Sequence, residues 1–458
     1  MSDTLPLFSD QDPERIFAWT PQGPIPVWRF LAQAHALANQ LPAGDWLLNV
    51  CSDRYHFALG FVAGLLSGKT SLQPAAQTAD TLRRLAAQHP GLHCLRDDRF
   101  DTAGLPCIDF PPLSALDKVD AGARNAALPM PQIAVDRVVA ILFTSGSTGA
   151  PQPQRKTWGK LVANARAGCN RLGLDLNLGH PGTSATIVAT VPAQHSYGFE
   201  SSFLPAFHAA TPFWSGKPFY PQDIAHALAA VPAPRVLVST PFHLAALLEA
   251  DLPLPPLQLL LSATAPLDRK LAAVIEQHCQ APLHEIYGST ESGQLASRRT
   301  CAEESWTLLD GVRLHQQGEQ TWASGEHVEG EVVLGDLIDC VDEQHFMLRG
   351  RHSDLINIAG KRTSLAWLNH QLCTLPGVRD GAFFLPPDTP GRQITRLAAA
   401  VVAPGLERAQ LLQALRERID AAFLPRPLLL CDRLPRNSTG KLPREALLAL
   451  HAGAHSDA

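Results

Sequence analysis

The sequence predicts an α/β protein. A large N-terminal α/β domain with layered, mostly parallel sheets spans residues 1–352, and a smaller α+β domain spans residues 353–458. Three observations carry this expectation. Short apolar runs alternate with stretches of helical periodicity, as in a layered parallel sheet. Several of those runs end in loops of glycine, alanine and hydroxyl residues. From about Gly330 the texture changes to short strands around turns, and the remainder beyond Gly350-Arg351 is large enough to be a domain of its own.

Taken in order, Val27, Phe30, Leu31, Ala34, Leu37, Ala38 and Leu41 recur at helical spacing. Gly44 and Asp45 interrupt, and 46–50 reads as a strand. A helix is expected over 54–66, stopped near Gly68. The stretch 105–131, rich in Pro, Asp and Ala, reads as a surface connection. The β-branched run 138–143 reads as a buried strand and leads into Thr144, Ser145, Gly146, Ser147, Thr148, Gly149, Ala150 and Pro151. A helix is expected over 160–172. Strands at 186–192, 235–239, 258–262 and 283–287 then alternate with helices over 221–231, over 241–250 and from Asp268. The loops after these strands hold Gln194-His195-Ser196-Tyr197-Gly198-Phe199, Ala263-Thr264-Ala265-Pro266-Leu267 and Gly288-Ser289-Thr290-Glu291-Ser292-Gly293. Ligands of α/β sheets sit at the carboxyl ends of strands, so these loops are candidates for one shared site. Strands at 331–334 and 346–348 read as antiparallel, and there is no internal repeat.

With 458 residues, the length prior gives roughly three domain-sized units. A hydrophobic fraction of 45% allows an ample core. The formal charge of -5 gives no footprint for nucleic acid or an anionic membrane, so an anionic ligand must be held by a local site. The nine cysteines are scattered and never in CxxC spacing, which argues against a disulfide framework or a zinc site and for a reducing compartment. The N-terminus lacks a basic and an apolar leader region, and the apolar segment 57–66 is about half the ~20 residues needed to span a bilayer. The expectation is a cytoplasmic protein without a membrane span.

The loop 144–151 carries no charge. Its glycines let backbone N–H groups converge and its hydroxyls add donors, which suits phosphate oxygens. It is not a Walker A loop, which needs a lysine and a metal-binding Ser or Thr after its second glycine. Taken alone, such a cluster after a strand is more often a plain turn, so its meaning comes from the rest of the chain.

Together the loops resemble those of the adenylate-forming superfamily, which includes acyl- and aryl-CoA synthetases, luciferases and adenylation domains. Thr144-Ser145-Gly146-Ser147-Thr148-Gly149-Ala150-Pro151 resembles its phosphate loop, and Ser262-Ala263-Thr264-Ala265-Pro266-Leu267 its adenine-side loop. Tyr287-Gly288-Ser289-Thr290-Glu291 is similar to the YGxTE motif and Leu334-Gly335-Asp336 to TGD. Gly350-Arg351 with Gly360 resembles the hinge, and Ser438-Thr439-Gly440-Lys441 the C-terminal lysine loop. The motifs stand in the family's order across nearly the whole chain.

This resemblance implies a mobile C-terminal cap and a two-step reaction. A carboxylate attacks the α-phosphorus of ATP, pyrophosphate leaves, and a thiol then displaces AMP from the acyl-adenylate. Both reactants of the first step are anions, so the site must align and neutralise them. By resemblance, Lys441 bridges the acid's carboxylate and the α-phosphate. Thr290 bonds the α-phosphate, and Glu291, with Thr148, serves Mg²⁺, a hard cation that prefers oxygen ligands. Asp336 and Arg351 hold the ribose. Ala263, Thr264, Ala265, Tyr287, Gly288 and Ser289 border the nucleotide. His195 is the aromatic gate beside the carboxylate pocket, and Tyr197, Ser201 and Gly288 line that pocket. The thiol acceptor is phosphopantetheine, on CoA or on an acyl carrier protein.

The chain departs from the family pattern in several places. Gln152-Pro153 replaces the usual lysine and glycine after Pro151, and Arg155 and Lys156 are candidate substitutes for the missing cation. Trp158 stands where many members carry histidine, Ser353 occupies the hinge position usually held by Asp or Lys, and the N-terminal part is short. Amino-acid activation is disfavoured, because that branch places an aspartate near His195. Aryl or medium-chain acids fit better, and the 156–158 continuation resembles ligases of aryl-polyene pathways. The competing reading is a degenerate, non-catalytic module that binds a nucleotide or acyl-AMP. A P-loop NTPase is excluded by the loop itself.

Overall fold

The computed structural model describes residues 3–10, 12–74, 77–117, 129–144, 152–174, 184–351, 355–358, 361–386, 396–436 and 442–456. The chain separates into two compact units. One comprises Met1–His315, Trp322–Val332 and Glu343–His345; the other comprises Gln316–Thr321, Val333–Asp342 and Phe346–Ala458.

Near its start the first unit has a hairpin, β1 (Ile16–Thr20) and β2 (Gly23–Pro26), followed by helix α1 (Val27–Ala38). Strand β3 (Trp46–Asn49) leads into α2 (Arg54–Leu66), where the Asp53 side chain caps the helix by accepting from the Tyr55 and His56 amides. Strands β4 (Thr70–Gln73), β5 (His93–Arg96), β6 (Cys107–Asp109), β7 (Val138–Thr144) and β8 (Gln152–Thr157) complete one sheet in the order β8-β7-β4-β3-β5-β6. All its pairings are parallel except β7 with β8.

One sequence expectation is corrected here, and one strand was not anticipated. The stretch 105–131 is not simply a surface connection, because it contributes β6 to the sheet edge and buries Leu116 completely. Residues 152–157 form a strand although their sequence, Gln-Pro-Gln-Arg-Lys-Thr, has no apolar alternation; pairing with the apolar β7 imposes the extended form.

Helix α3 (Trp158–Arg171) then leads to a second sheet. Its strands are β9 (Thr186–Ala189), β10 (Phe213–Trp214), β11 (Arg235–Ser239), β12 (Leu259–Ser262), β13 (Leu283–Ser289), β14 (Gly293–Arg299) and β15 (Trp306–Leu308), joined by β1 and β2. The order is β15-β14-β13-β12-β11-β9-β10-β1-β2. The run from β13 to β1 is parallel, with antiparallel partners at either end. Helices α4 (Pro221–Ala229), α5 (Pro241–Ala250) and α6 (Arg269–Cys279) alternate with these strands. Proline at the first position of α4 and α5, and the Asp268 cap of α6, set their starts where the sequence predicts them.

An aromatic core fixes the segment that follows β9. Phe8 stacks on Phe207 at 5.0 Å, Phe17 meets Phe213 edge-on at 5.2 Å, and Phe203 meets Phe57 at 5.3 Å and Phe61 at 5.4 Å. Burying each such ring stabilises the unit by about 1.5–3 kcal/mol.

The second unit contains the antiparallel pair β16 (Asp336–Cys340) and β17 (His345–Arg351), with Asp336 opposite Arg351. A second pair, β18 (Leu355–Ile358) and β19 (Lys361–Ser364), precedes helix α7 (Leu365–Cys373). A mixed sheet of β20 (Asp380–Phe384), β21 (Ala398–Val402) and β22 (Leu428–Leu430) packs its core with Leu368, Leu372, Phe383, Val401 and Leu415.

Candidate active site

The site residues of the first unit gather at the carboxyl ends of β9, β11, β12 and β13. Strand β12 ends at Ser262, and the chain turns through Ala263, Thr264 and Ala265. Thr264 has φ of 78°, a conformation rare for a β-branched residue, so something must hold it. The next tether is visible: the Leu267 amide donates to Glu285 Oε1 at 2.9 Å. Glu285 is buried on β13, and its other oxygen accepts from Arg298 Nε at 2.9 Å, Arg298 Nη2 at 2.7 Å and Thr300 Oγ1 at 2.7 Å. Arg298 in turn lies over the Trp306 ring at 4.5 Å. A fully engaged carboxylate thus pins the 263–267 loop to its neighbouring strand.

Strand β13 runs on through Tyr287 and the exposed Gly288 and Ser289, and the chain reverses over Thr290, Glu291 and Ser292 into β14. A Cβ on Gly288 would lie 2.2 Å from the Gly293 carbonyl oxygen, so only glycine fits this close approach. The Ser289 amide donates to Ser292 Oγ at 3.1 Å, which closes the turn. Thr290 and Glu291 are half-buried, and the Glu291 carboxylate has no hydrogen bond or ion pair among the described residues. One unpartnered carboxylate suits Mg²⁺, which keeps several waters and is held largely by substrate phosphates.

After β9, the half-buried His195 opens a short helical turn, Ser196–Gly198, that passes into a π-helical turn, Phe199–Phe203, with the Leu204 amide bonded to the Phe199 carbonyl at 3.0 Å. π-turns of this kind are frequent at functional sites. The Tyr197 hydroxyl is buried beside the Ser239 backbone without a well-formed hydrogen bond among the described residues, and burial holds its pKa well above the phenolic range. Ser201 Oγ accepts from Gln294 Nε2 at 3.0 Å. Glu200, 3% exposed, accepts from Ser196 Oγ at 3.0 Å and from the Gln294 amide at 2.9 Å. Burial raises its pKa above the usual carboxylate value, while the Lys156 charge and these hydrogen bonds oppose that rise.

The β7–β8 pair belongs to the other sheet. Thr144 ends β7 with Gln152 opposite it on β8. Along β8 the side chains alternate, so Arg155 is exposed and Lys156 is buried. Lys156 Nζ donates to the Glu291 carbonyl at 3.4 Å, which ties β8 to the Thr290–Glu291 turn. Trp158 is a core residue: it is completely buried and meets His208 edge-on at 5.2 Å.

Of the sequence-predicted residues, Thr144, His195, Tyr197, Ser201, Ala263, Thr264, Ala265, Tyr287, Gly288, Ser289, Thr290 and Glu291 all belong to this unit. Ser145, Gly146, Ser147, Thr148, Gly149 and Lys441 lie outside the described residues. Asp336 and Arg351 face each other on the β16–β17 ladder of the second unit. Sequence reasoning did not single out Glu200, Glu285 or Gln294. For Glu200 a signal existed, since a carboxylate set between Phe199 and Phe203-Leu204 calls for buried partners.

Known proteins show the family and the fold. The model of the family described as "AMP-binding enzyme" matches residues 76–339, more than half of the chain. A 4-coumarate–CoA ligase of Halorhodospira halophila is 29% identical over 310 residues, covering 65% of this chain and 73% of that protein. A 4-coumarate–CoA ligase of Rhodobacter capsulatus is 27% identical over 307 residues, covering 66% and 74%. Among solved structures, ATP-bound MatB from Rhodopseudomonas palustris superposes with a TM-score of 0.81 at 20% identity over 98% of both chains. The o-succinylbenzoate CoA synthetase of Bacillus subtilis with its acyl-adenylate gives 0.79 at 19% identity over 97% of this chain and 98% of that one. The layered α/β fold is therefore that of adenylate-forming enzymes, and no helix among the described residues is long and apolar enough to cross a membrane. The chain belongs to the AMP-binding enzyme family, as an adenylate-forming acid–thiol ligase.

Proposed function

We propose that the chain activates an aryl carboxylic acid bearing a phenolic hydroxyl and passes it to a phosphopantetheine thiol. The observation that carries this reading is the Tyr197 hydroxyl, buried without a well-formed hydrogen bond among the described residues. A buried donor of this kind favours a ligand that supplies its missing partner, and a phenol does so. The names of the relatives, 4-coumarate and o-succinylbenzoate CoA ligases, support an aryl acid.

In the first half-reaction a carboxylate oxygen bonds to the α-phosphorus of ATP and the bond to pyrophosphate breaks. Lys441 bridges the two anions as a movable point charge. Thr290 donates to the α-phosphate, and Glu291 with Thr148 would hold Mg²⁺, which would neutralise phosphate charge. Thr144 and the loop residues Ser145, Gly146, Ser147, Thr148 and Gly149 enclose the β- and γ-phosphates. Asp336 accepts from the ribose hydroxyls and Arg351 donates to them. Ala263, Thr264, Ala265, Tyr287, Gly288 and Ser289 border the nucleotide. His195 gates the carboxylate end of the pocket, which Tyr197, Ser201 and Gly288 line. In the second half-reaction the thiol sulfur bonds to the acyl carbon and AMP leaves with the bonding pair. The cap rotates about the 352/353 boundary between the two steps.

The CoA-ligase names of the relatives favour CoA as acceptor. Matches to isonitrile lipopeptide synthases keep a carrier protein as the second candidate. The degenerate, non-catalytic reading draws on Gln152, a neutral residue opposite Thr144 where the family has lysine. ATP–pyrophosphate exchange with hydroxybenzoic, hydroxycinnamic, unsubstituted aryl and medium-chain acids tests all of this. Exchange with phenolic acids is expected. Exchange with medium-chain acids alone would refute the aryl reading, and no exchange with any acid would favour the degenerate one.

A further inference from the structure

Two buried charges hold the backbone of the turn that carries Glu291 and of the strand it enters. On one side, Lys156 on β8 is 4% exposed, and its ammonium donates to the Glu291 carbonyl at 3.4 Å. On the other, Glu200 in the π-turn is 3% exposed, and its carboxylate accepts from the Gln294 amide at 2.9 Å. Asn164 completes the grip on β14: its amide nitrogen donates to the Gln294 carbonyl at 3.4 Å. His327 meets the same carbonyl through Nε2 at 2.7 Å. The two charges are not in direct ion-pair contact, yet Lys156 is the nearby cation that favours ionised Glu200.

Neither charge is placed as a surface residue would be. Burying a lone lysine or glutamate is costly, and such groups are retained where they are paired and bonded. Here the partners include the Glu291 carbonyl, within the turn, and the Gln294 amide, just after it on β14. Among the described residues the Glu291 side chain has no hydrogen bond or ion pair, while its backbone carbonyl is held.

We propose that Lys156 and Glu200 are positioning residues that set the Glu291 carboxylate for the divalent cation, and that Lys156 therefore serves this turn instead of the pyrophosphate. The inference rests on the ligase reading and on Glu291 as the cation's carboxylate. It gives the departure at Gln152 a meaning: the cation of this stretch has moved along the strand from the loop to its inward face. Arg155, exposed on the opposite face of β8, does not share the role.

The test uses the full-length protein and Mn²⁺ as the probe cation. Mn²⁺ binding is measured by electron paramagnetic resonance on protein saturated with a non-hydrolysable ATP analogue, and ATP–pyrophosphate exchange is measured in parallel against Mg²⁺ and against acid. For Lys156→Met, Mn²⁺ affinity is expected to fall about 10-fold, the lower end for loss of a residue that orients a metal ligand. The Mg²⁺ concentration for half-maximal exchange should rise by a similar factor, with KM for the acid nearly unchanged. Lys156→Arg should recover most of the loss. Glu200→Gln, which keeps the side-chain shape, should shift Mn²⁺ affinity in the same direction and provides the same test should Lys156→Met not fold. Unchanged Mn²⁺ affinity in a folded Lys156→Met or Glu200→Gln would overturn the proposal. So would a loss that falls equally on KM for the acid. Wild-type protein that shows no exchange at all would instead sink the ligase reading, which keeps the two failures distinct.

Discussion

Replacing Glu285 by glutamine tests how the 263–267 loop is held. Glutamine keeps the length and shape of glutamate but offers one acceptor oxygen where the wild-type side chain uses two. Oε1 takes the Leu267 amide, and Oε2 takes two Arg298 donors and the Thr300 hydroxyl. If the amide oxygen of Gln faces Arg298, its NH2 group faces the Leu267 N–H, and a buried donor is left without an acceptor. That costs about 1–3 kcal/mol. The ion pair with Arg298, whose side chain is 22% exposed, adds about 1 kcal/mol after allowance for solvent screening. Glu285→Gln should therefore destabilise the first unit by about 2–4 kcal/mol, read as the shift of its urea unfolding transition at constant m. Because Thr264 sits at a strained φ just upstream, loss of the tether should let the loop relax and raise KM for ATP by about tenfold, equivalent to 1.4 kcal/mol. An Arg298→Gln control separates the parts, since it spares the Leu267 bond and should move stability with little change in KM for ATP. A Glu285→Gln protein that loses stability but keeps the wild-type KM would refute the coupling between this carboxylate and the nucleotide side of the site.

Three further outcomes are expected. Gly288→Ala places a methyl group 2.2 Å from the Gly293 carbonyl oxygen, so the β13–β14 hairpin must shift; a cost of about 1–3 kcal/mol in unfolding and loss of most exchange activity should follow. Tyr197→Phe removes the buried hydroxyl, and the ratio of kcat/KM for a hydroxycinnamic acid over cinnamic acid should fall by about tenfold or more, whereas an unchanged ratio would remove Tyr197 from phenol recognition. Burial lowers the pKa of His208 to about 3 and of His243 to about 4, with nearby cations adding to the effect. Between those values and the unfolded pKa of about 6.5 the unfolded chain binds more protons, so stability falls as pH falls. Each histidine should remove about 2 kcal/mol on going from pH 7 to pH 5, partly offset by Glu200, whose raised pKa acts in the opposite sense. The urea midpoint measured at pH 7, 6 and 5 checks this, and His243→Gln should flatten the slope.

Much of the architecture was legible because burial writes itself into composition. The parallel strand 235–239 and the helix 241–250 have the expected limits, since a strand covered on both faces must be continuously apolar and proline marks the helix start. Strand β8 was not legible, because its polar residues are extended only through pairing with β7. The motifs pointed to the loops at the strand ends, and His195, Tyr197, Thr264 and Glu291 stand on those loops. The supports behind them were hidden. Glu200 reaches Gln294 across 94 positions and Lys156 reaches Glu291 across 135, and no local pattern encodes which distant strand supplies a partner. Lys156 could be named as a candidate cation, but only the alternation of β8 decides that it faces inward while Arg155 does not.

The π-turn at Phe199–Phe203 also bears on how the segment around Tyr197 can be altered. One extra residue is accommodated there without unwinding the segment, so Glu200, Ser201 and Ser202 are all buried in succession. Deleting one residue would let the turn revert to α geometry and rotate what precedes it by about 100° relative to the Phe207 anchor. Tyr197 would then leave its place beside Ser239 and a different side chain would take it. Under the proposed function, a single-codon deletion within 199–203 should therefore change which acids are activated, a change of backbone register that a point substitution does not make.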